Sequence, residues 1–126
     1  MNDLIGLKRA WAALPGDGSG TVDCCLLAAE VHKRLGYYDY TPDFLWVFEK
    51  YTDENLPRTF ILKWLLKNAR RISNPEPHAV VFLPSDERGA LGTIMDDGRC
   101  LFITKTSGVV LAKLPEETGH YFRLNK

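Results

Sequence analysis

At Pro77 the hydrophobic pattern of this chain changes period, and that change limits the folds open to it. Before it, apolar residues recur three and four positions apart, as one face of a helix requires. After it they fall in short runs rich in β-branched and aromatic residues, separated by turn signals. A helical half followed by a strand-rich half predicts an α+β fold, with helices laid on an antiparallel sheet of about five strands. At 126 residues the chain suits one domain with a sizeable core, helical over about 1–74 and strand-rich over about 77–124.

In the first half, Leu4, Ile5, Leu7, Trp11, Ala12 and Leu14 predict a helix over 3–14, ended by the turn residues of "PGDGSG". Asp23 is a good N-cap for a second helix, with Cys24 in its first turn, Cys25, Leu26, Ala29, Val31 and Leu35 inside it, and Gly36 as its stop. "TPDFLWVFEKY" begins another, with Thr41 as cap and Pro42 at the first helical position. The strongest helical stripe is Phe60, Ile61, Trp64, Leu65, Ala69 and Ile72, running to the prolines of "SNPEP". Beyond Pro77, "HAVVFLP", "ALGTIM", "RCLFITK", "GVVLAKL" and "HYFRL" read as strands, with "DDG" (Asp96 to Gly98) and "TSG" as turns between them.

Composition closes several functional classes. The formal net charge is zero, whereas a nucleic-acid protein usually carries a basic excess. "KNARR" (Lys67 to Arg71) reads as a solvated helix end, where cations suit the helix dipole. The opening sixteen residues hold Lys8 and Arg9 within their apolar pattern and read as neither signal peptide nor membrane span, so synthesis in the cytoplasm is expected. Three cysteines, two adjacent, make no disulfide framework, and no Cys/His cluster has zinc spacing, so no cofactor or metal is implied. Cys100, in the apolar run "RCLFIT", reads as a core residue.

The stretch "VDCC" carries the chemistry. A cysteine in the first turn of a helix meets unpaired amides and the positive end of the dipole, both of which stabilise a thiolate. Catalysis then requires a base and a polar group to orient it. The order "LIG…W…G…G…VDC…L…EV…LG", "PHAVVF", "ALGTIMDDGRCLFIT" and "GVV…L", from Leu4 to about Arg123, resembles the NlpC family of papain-like cell-wall cysteine peptidases, several of which occur in bacteriophage tails. The resemblance implies a papain-like fold with Cys24 in the nucleophile's place and Cys25 in that of the following serine.

The same match departs from the family where the base belongs. The histidine that opens the next strand falls at Ala90, and the third polar group falls at Phe102. Neither side chain accepts or relays a proton. The resemblance also implies an aromatic oxygen donor near the first motif, which is missing if Trp11 fills that slot, because indole donates from nitrogen only. The resemblance therefore implies a catalytically degenerate domain, kept as a structural or binding module among other proteins of an assembly such as a phage tail, and incorporated in the virion. A second register makes His78 the base and leaves an active cysteine peptidase or amidase acting on peptidoglycan peptides, although "NPEPHAVVF" and the "GTIMDDGR" hairpin fit the first register better. A third reading is a small cytoplasmic protein-interaction domain. None of the three involves nucleic acid or a membrane.

Other chemistry-bearing residues have plainer uses. His32 lies eight residues beyond Cys24, about 12 Å along a helix axis, too far to serve as its base. His120 sits in the last strand with no spacing to recommend it. Asp96 and Asp97 suit a hairpin, and Glu116 and Glu117 an exposed loop. "GDGSG" lacks the preceding strand and the lysine of a phosphate loop. The aromatic residues Tyr37, Tyr38, Tyr40, Trp46 and Tyr51 suit the rim of a packed helix better than a groove for glycan or peptide.

Overall fold

Asp23 begins the first helix by accepting a hydrogen bond from the Cys25 amide at 2.9 Å. The computed structural model describes residues 1–84, 89–115 and 119–126. Among these, three helices are present: α1 (Cys24–Arg34), α2 (Thr41–Lys50) and α3 (Phe60–Asn68). The strands are β1 (Lys8–Arg9), β2 (Thr21–Val22), β3 (Ala69–Ile72), β4 (Val80–Leu83), β5 (Ala90–Ile94), β6 (Cys100–Thr104), β7 (Gly108–Ala112) and β8 (His120–Leu124). The last six form one antiparallel sheet in the order β3-β8-β4-β5-β6-β7, while β1 and β2 make a short parallel pair. The mixed α+β class is thus as expected. The Glu116–Glu117 pair, read as an exposed loop, lies outside the described residues.

Apolar side chains line both faces of the sheet. One face packs under the helices, joining Leu26 and Ala29 of α1, Phe44 of α2 and Leu65 of α3 to Val80, Leu91 and Phe122. The same face continues beneath α1 as Leu27 and Val31 against Leu101 and Val109. The opposite face carries Ala79, Val81, Ile94, Cys100 and Tyr121, with Leu83, Phe102 and Leu114 packed on them. Because side chains alternate along a strand, one residue of register decides which core a side chain enters.

Three expectations differ from the structure. No helix forms over 3–14. Gly6 adopts φ +91° and Ala12 φ +55°, and the backbone instead bonds to distant strands. The Gly6 amide donates to the Val109 carbonyl, the Val109 amide to that of Leu7, and Lys8 and Ala10 pair with the β2 segment. Leu4 is buried, but Ile5 and Leu14 are exposed, so the apparent helical stripe never acts as one face. Sheet pairing overrides a weak local periodicity.

The second correction is at the end of α3, expected to run through Ile72 but stopping at Asn68. Ala69 turns to extended backbone (φ −143°, ψ 167°), and β3 pairs with β8 as a sixth strand. A three-residue spacing hid this: Ala69 packs on the helix side of the sheet and Ile72 on the other. "KNARR" is therefore a helix-to-strand junction, not a helix end alone. The α2 cap also shifts by one residue, with Tyr40 at the N-cap and Pro42 inside the first turn.

The later turns are as read. Gly98 closes the β5–β6 hairpin at φ +84°, with the Met95 amide donating to the Arg99 carbonyl at 2.8 Å. Gly108 is more tightly constrained. It has φ +70°, and a Cβ there would collide with the Leu7 carbonyl, whereas one at Gly98 would meet open space. Gly108→Ala is expected to cost about 2 kcal/mol or more, against about 1 kcal/mol for Gly98→Ala, where only backbone strain acts. Urea-denaturation midpoints of the two variants measure the difference; equal losses would remove the close approach of residues 6–8 to β7.

Candidate functional site

Asp23 fixes the position of Cys24. One carboxylate oxygen accepts from the Cys25 amide, and the other accepts from the Ala12 amide at 3.4 Å. Its own amide donates to Ala13. Burial pushes the Asp23 carboxyl above its usual range, while the amides of Cys25, Ala12 and Leu26 favour the charged form. The loop before the helix and the first turn are thereby fastened together.

Cys24 is half-buried and packs at the edge of the helix-side core. Its thiol lies below the usual range, chiefly because the Cys25 thiol donates a hydrogen bond to it. The Leu91 amide also donates, and the Arg9 guanidinium favours the anion, while burial and the Asp23 charge oppose it. The Leu91 amide is available because β5 pairs with β6 only through Thr93 and Ile94. The lowered thiol expected from a helix start is present, but its donors are a neighbouring thiol and a strand amide. Cys100, by contrast, is pushed up to about 12 by burial and suits its core position.

The residues expected at the degenerate positions lie one register step away from the site. Ala90 pairs with Leu83, and Phe102 packs with Cys100, which puts both on the sheet face opposite α1. The β5 side chain in the same core as Cys24 is Leu91, while on β6 the helix side holds Leu101 and Ile103. These three side chains, like Ala90 and Phe102, carry no group that accepts or relays a proton.

His78 is at the other end of α1. Its Nδ1 lies 2.9 Å from the Tyr37 hydroxyl, and its Nε2 lies 2.7 Å from Asp96 Oδ1. Tyr37 stacks on His32, at 4.6 Å between ring centroids, and His32 is about 12 Å along α1 from Cys24. On the sheet, the His78 amide bonds to the Ile94 carbonyl, three residues or about 10 Å along β5 from Leu91. His78 and Cys24 are therefore not brought together. His78 adopts φ +71°, strained for a residue with a Cβ, and the Asp96 and Tyr37 contacts hold it there.

His120 is exposed, with Nδ1 2.6 Å from Arg71 Nη2. It aligns with Phe82 and then Leu91 across the sheet, about 10 Å from β5. Trp11 packs edge-on against Phe48, 4.7 Å between centroids. Asp97 serves its hairpin as expected, accepting from the amide and guanidinium of Arg99, and both bonds lower its carboxyl. Asp96 has a use that the sequence reading missed, as the partner of His78. The signal was the β4–β5 hairpin itself, since the start of one antiparallel strand lies beside the end of the next.

The ligand atoms of Asp23, Cys24 and Cys25 lie within 4.8 Å of one another, the one such group of three among the described residues. Capping and the thiol–thiol bond account for that proximity, because the same oxygens and sulfurs are engaged in them. No helix among the described residues is long and apolar enough to cross a membrane. No family model, curated protein or solved structure matches the chain.

His32 supplies a test of this end of the structure. It is 3% exposed, neither ring nitrogen makes a well-formed hydrogen bond, and burial lowers its pKa from 6.5, partly offset by the nearby Lys126 backbone. The unfolded chain therefore takes up the proton first as the pH falls through 6.5, and the His32 contribution to stability is lost below it. His32→Leu should flatten the fall in unfolding free energy between about pH 7 and about pH 5. Chemical denaturation across that range reads the two slopes; identical slopes would mean that His32 is not held neutral by burial.

Proposed function

We propose that this chain is a catalytically silent domain of the NlpC type, retained as a structural or binding module, with a place among the proteins of a bacteriophage tail. The observation that carries the silent reading is the side chain beside Cys24. Leu91, an aliphatic residue, occupies the core next to the thiol and has no group to take its proton. The papain-like assignment draws on the "VDCC" helix start, the lowered thiol and a helix laid on an antiparallel sheet. The tail context draws on the resemblance of the motif order alone, and genes for tail components beside this one are what it expects.

The lowered thiol also favours a second reading, a cysteine peptidase or amidase that cleaves cell-wall peptides through Cys24. In that reading neither His78, held by Tyr37 and Asp96, nor His120, held by Arg71, is positioned as the base. One assay decides between them. A defined peptide-bearing muropeptide incubated with the protein should be recovered intact, with wild type and Cys24→Ala alike. Release of a peptide fragment by wild type that disappears in Cys24→Ala would establish the peptidase.

A further inference from the structure

Helices α2 and α3 do not close against each other along their solvent side. Between them runs an open groove of about 570 Å³, within the size range of ligand sites. Its floor is the Trp64 indole, held from beneath by Phe44 at 4.6 Å and by Tyr40 at 5.1 Å between ring centroids. Trp46 stands on the α2 wall at 62% exposure, a large apolar surface left in water. The aromatic cluster expected at the rim of a packed helix is thus divided: Tyr40 is buried, whereas Trp46 and Tyr51 line the groove.

The charge around the groove has a sign. Lys63 and Lys67 stand one turn apart on the α3 wall, and neither forms an ion pair among the described residues. Like charges at this spacing cost an isolated helix a few tenths of a kcal/mol, and the fold gains no ion pair from them in return. Lys50 adds a third cation, its ammonium 5.1 Å from the Trp46 ring centroid and 5.9 Å from that of Tyr51. Asp43 is the single acidic residue of the lining. In a chain of zero formal charge, positive charge is concentrated where apolar surface is exposed.

We infer that this groove binds an extended acidic segment of a partner protein, one in which acidic and large apolar residues alternate. The spacing fits: four residues of α3 separate the two lysines by about 6 Å of rise, close to the roughly 6.8 Å between alternate side chains of an extended strand. Acidic residues of such a segment face Lys63 and Lys67, while the residues between them face the Trp46 wall. A flat anionic membrane meets the lysines but not the recessed Trp64, and a neutral glycan meets the aromatic residues without using the lysines. The inference rests on the domain being a binding module, yet it is independent of Cys24, so the muropeptide assay and the groove can fail separately.

The test is calorimetric titration of the intact protein with acetyl-Glu-Phe-Glu-Leu-Glu-amide at low ionic strength, beside the analogues with glutamine or lysine at the three acidic positions. The acidic peptide should bind, and the lysine analogue should not. Lys63→Glu combined with Lys67→Glu, and separately Trp46→Ala, should each weaken binding by about tenfold or more. All three positions are exposed, and unchanged thermal melting of the variants verifies their fold. Four results would overturn the inference: no binding of the acidic peptide, equal affinity for the three peptides, a chito-oligosaccharide bound with no dependence on the lysines, or phosphatidylserine vesicles bound in preference to the peptide.

Discussion

The buried carboxylate of Asp23 is the interaction on which the rest of the candidate site depends. It is held by amides from two directions, those of the first turn of α1 and that of Ala12 in the preceding loop. A carboxylate removed from water is costly unless its oxygens are filled, so this cap ties the loop and the helix start into one arrangement. Cys24 follows directly in the chain. Its sulfur meets the Leu91 amide because α1 lies across β5, and because β5 leaves that amide outside its ladder with β6. The thiol is therefore tuned by structural contacts of the helix start, with no acid–base partner required.

The two ends of α1 have separate chemistry. At the first, the lowered Cys24 faces aliphatic surface. At the second, His32, Tyr37 and His78 stack and bond in series, and Asp96 holds the outer imidazole. A histidine at positive φ, fixed by both ring nitrogens, acts as a clasp between the segment after α1 and the β5–β6 hairpin. Had the loop before β4 carried His78 toward Cys24, a peptidase would be the simpler reading. The antiparallel register carries it the other way.

Much of this was legible in the sequence. Asp23, Gly36 and the glycine of "DDG" marked element ends through local chemistry, and their elements formed as read. Failures came where distant partners decided. Leu4 to Leu14 had helical spacing, but Gly6 and Leu7 bond to Val109, a hundred residues on. Ala69 and Ile72 fit one helix face by count and two sheet faces in fact. The same parity sets the faces of the next strands: Ala90 and Phe102 turn away from α1, while Leu91 and Leu101 turn toward it. The partners of His78, and the groove between α2 and α3, come from tertiary packing and have no local pattern.

The central claim, that Cys24 is tuned without a base, is tested most directly by the pH dependence of its alkylation, followed by mass spectrometry of the Cys24 peptide in the native protein. The account predicts one ionisation with a midpoint below the ordinary thiol value of 9.0, unchanged in His78→Ala and in His120→Ala. A second, lower inflection that either histidine substitution removes would mean that an imidazole reaches the thiol, and would contradict it.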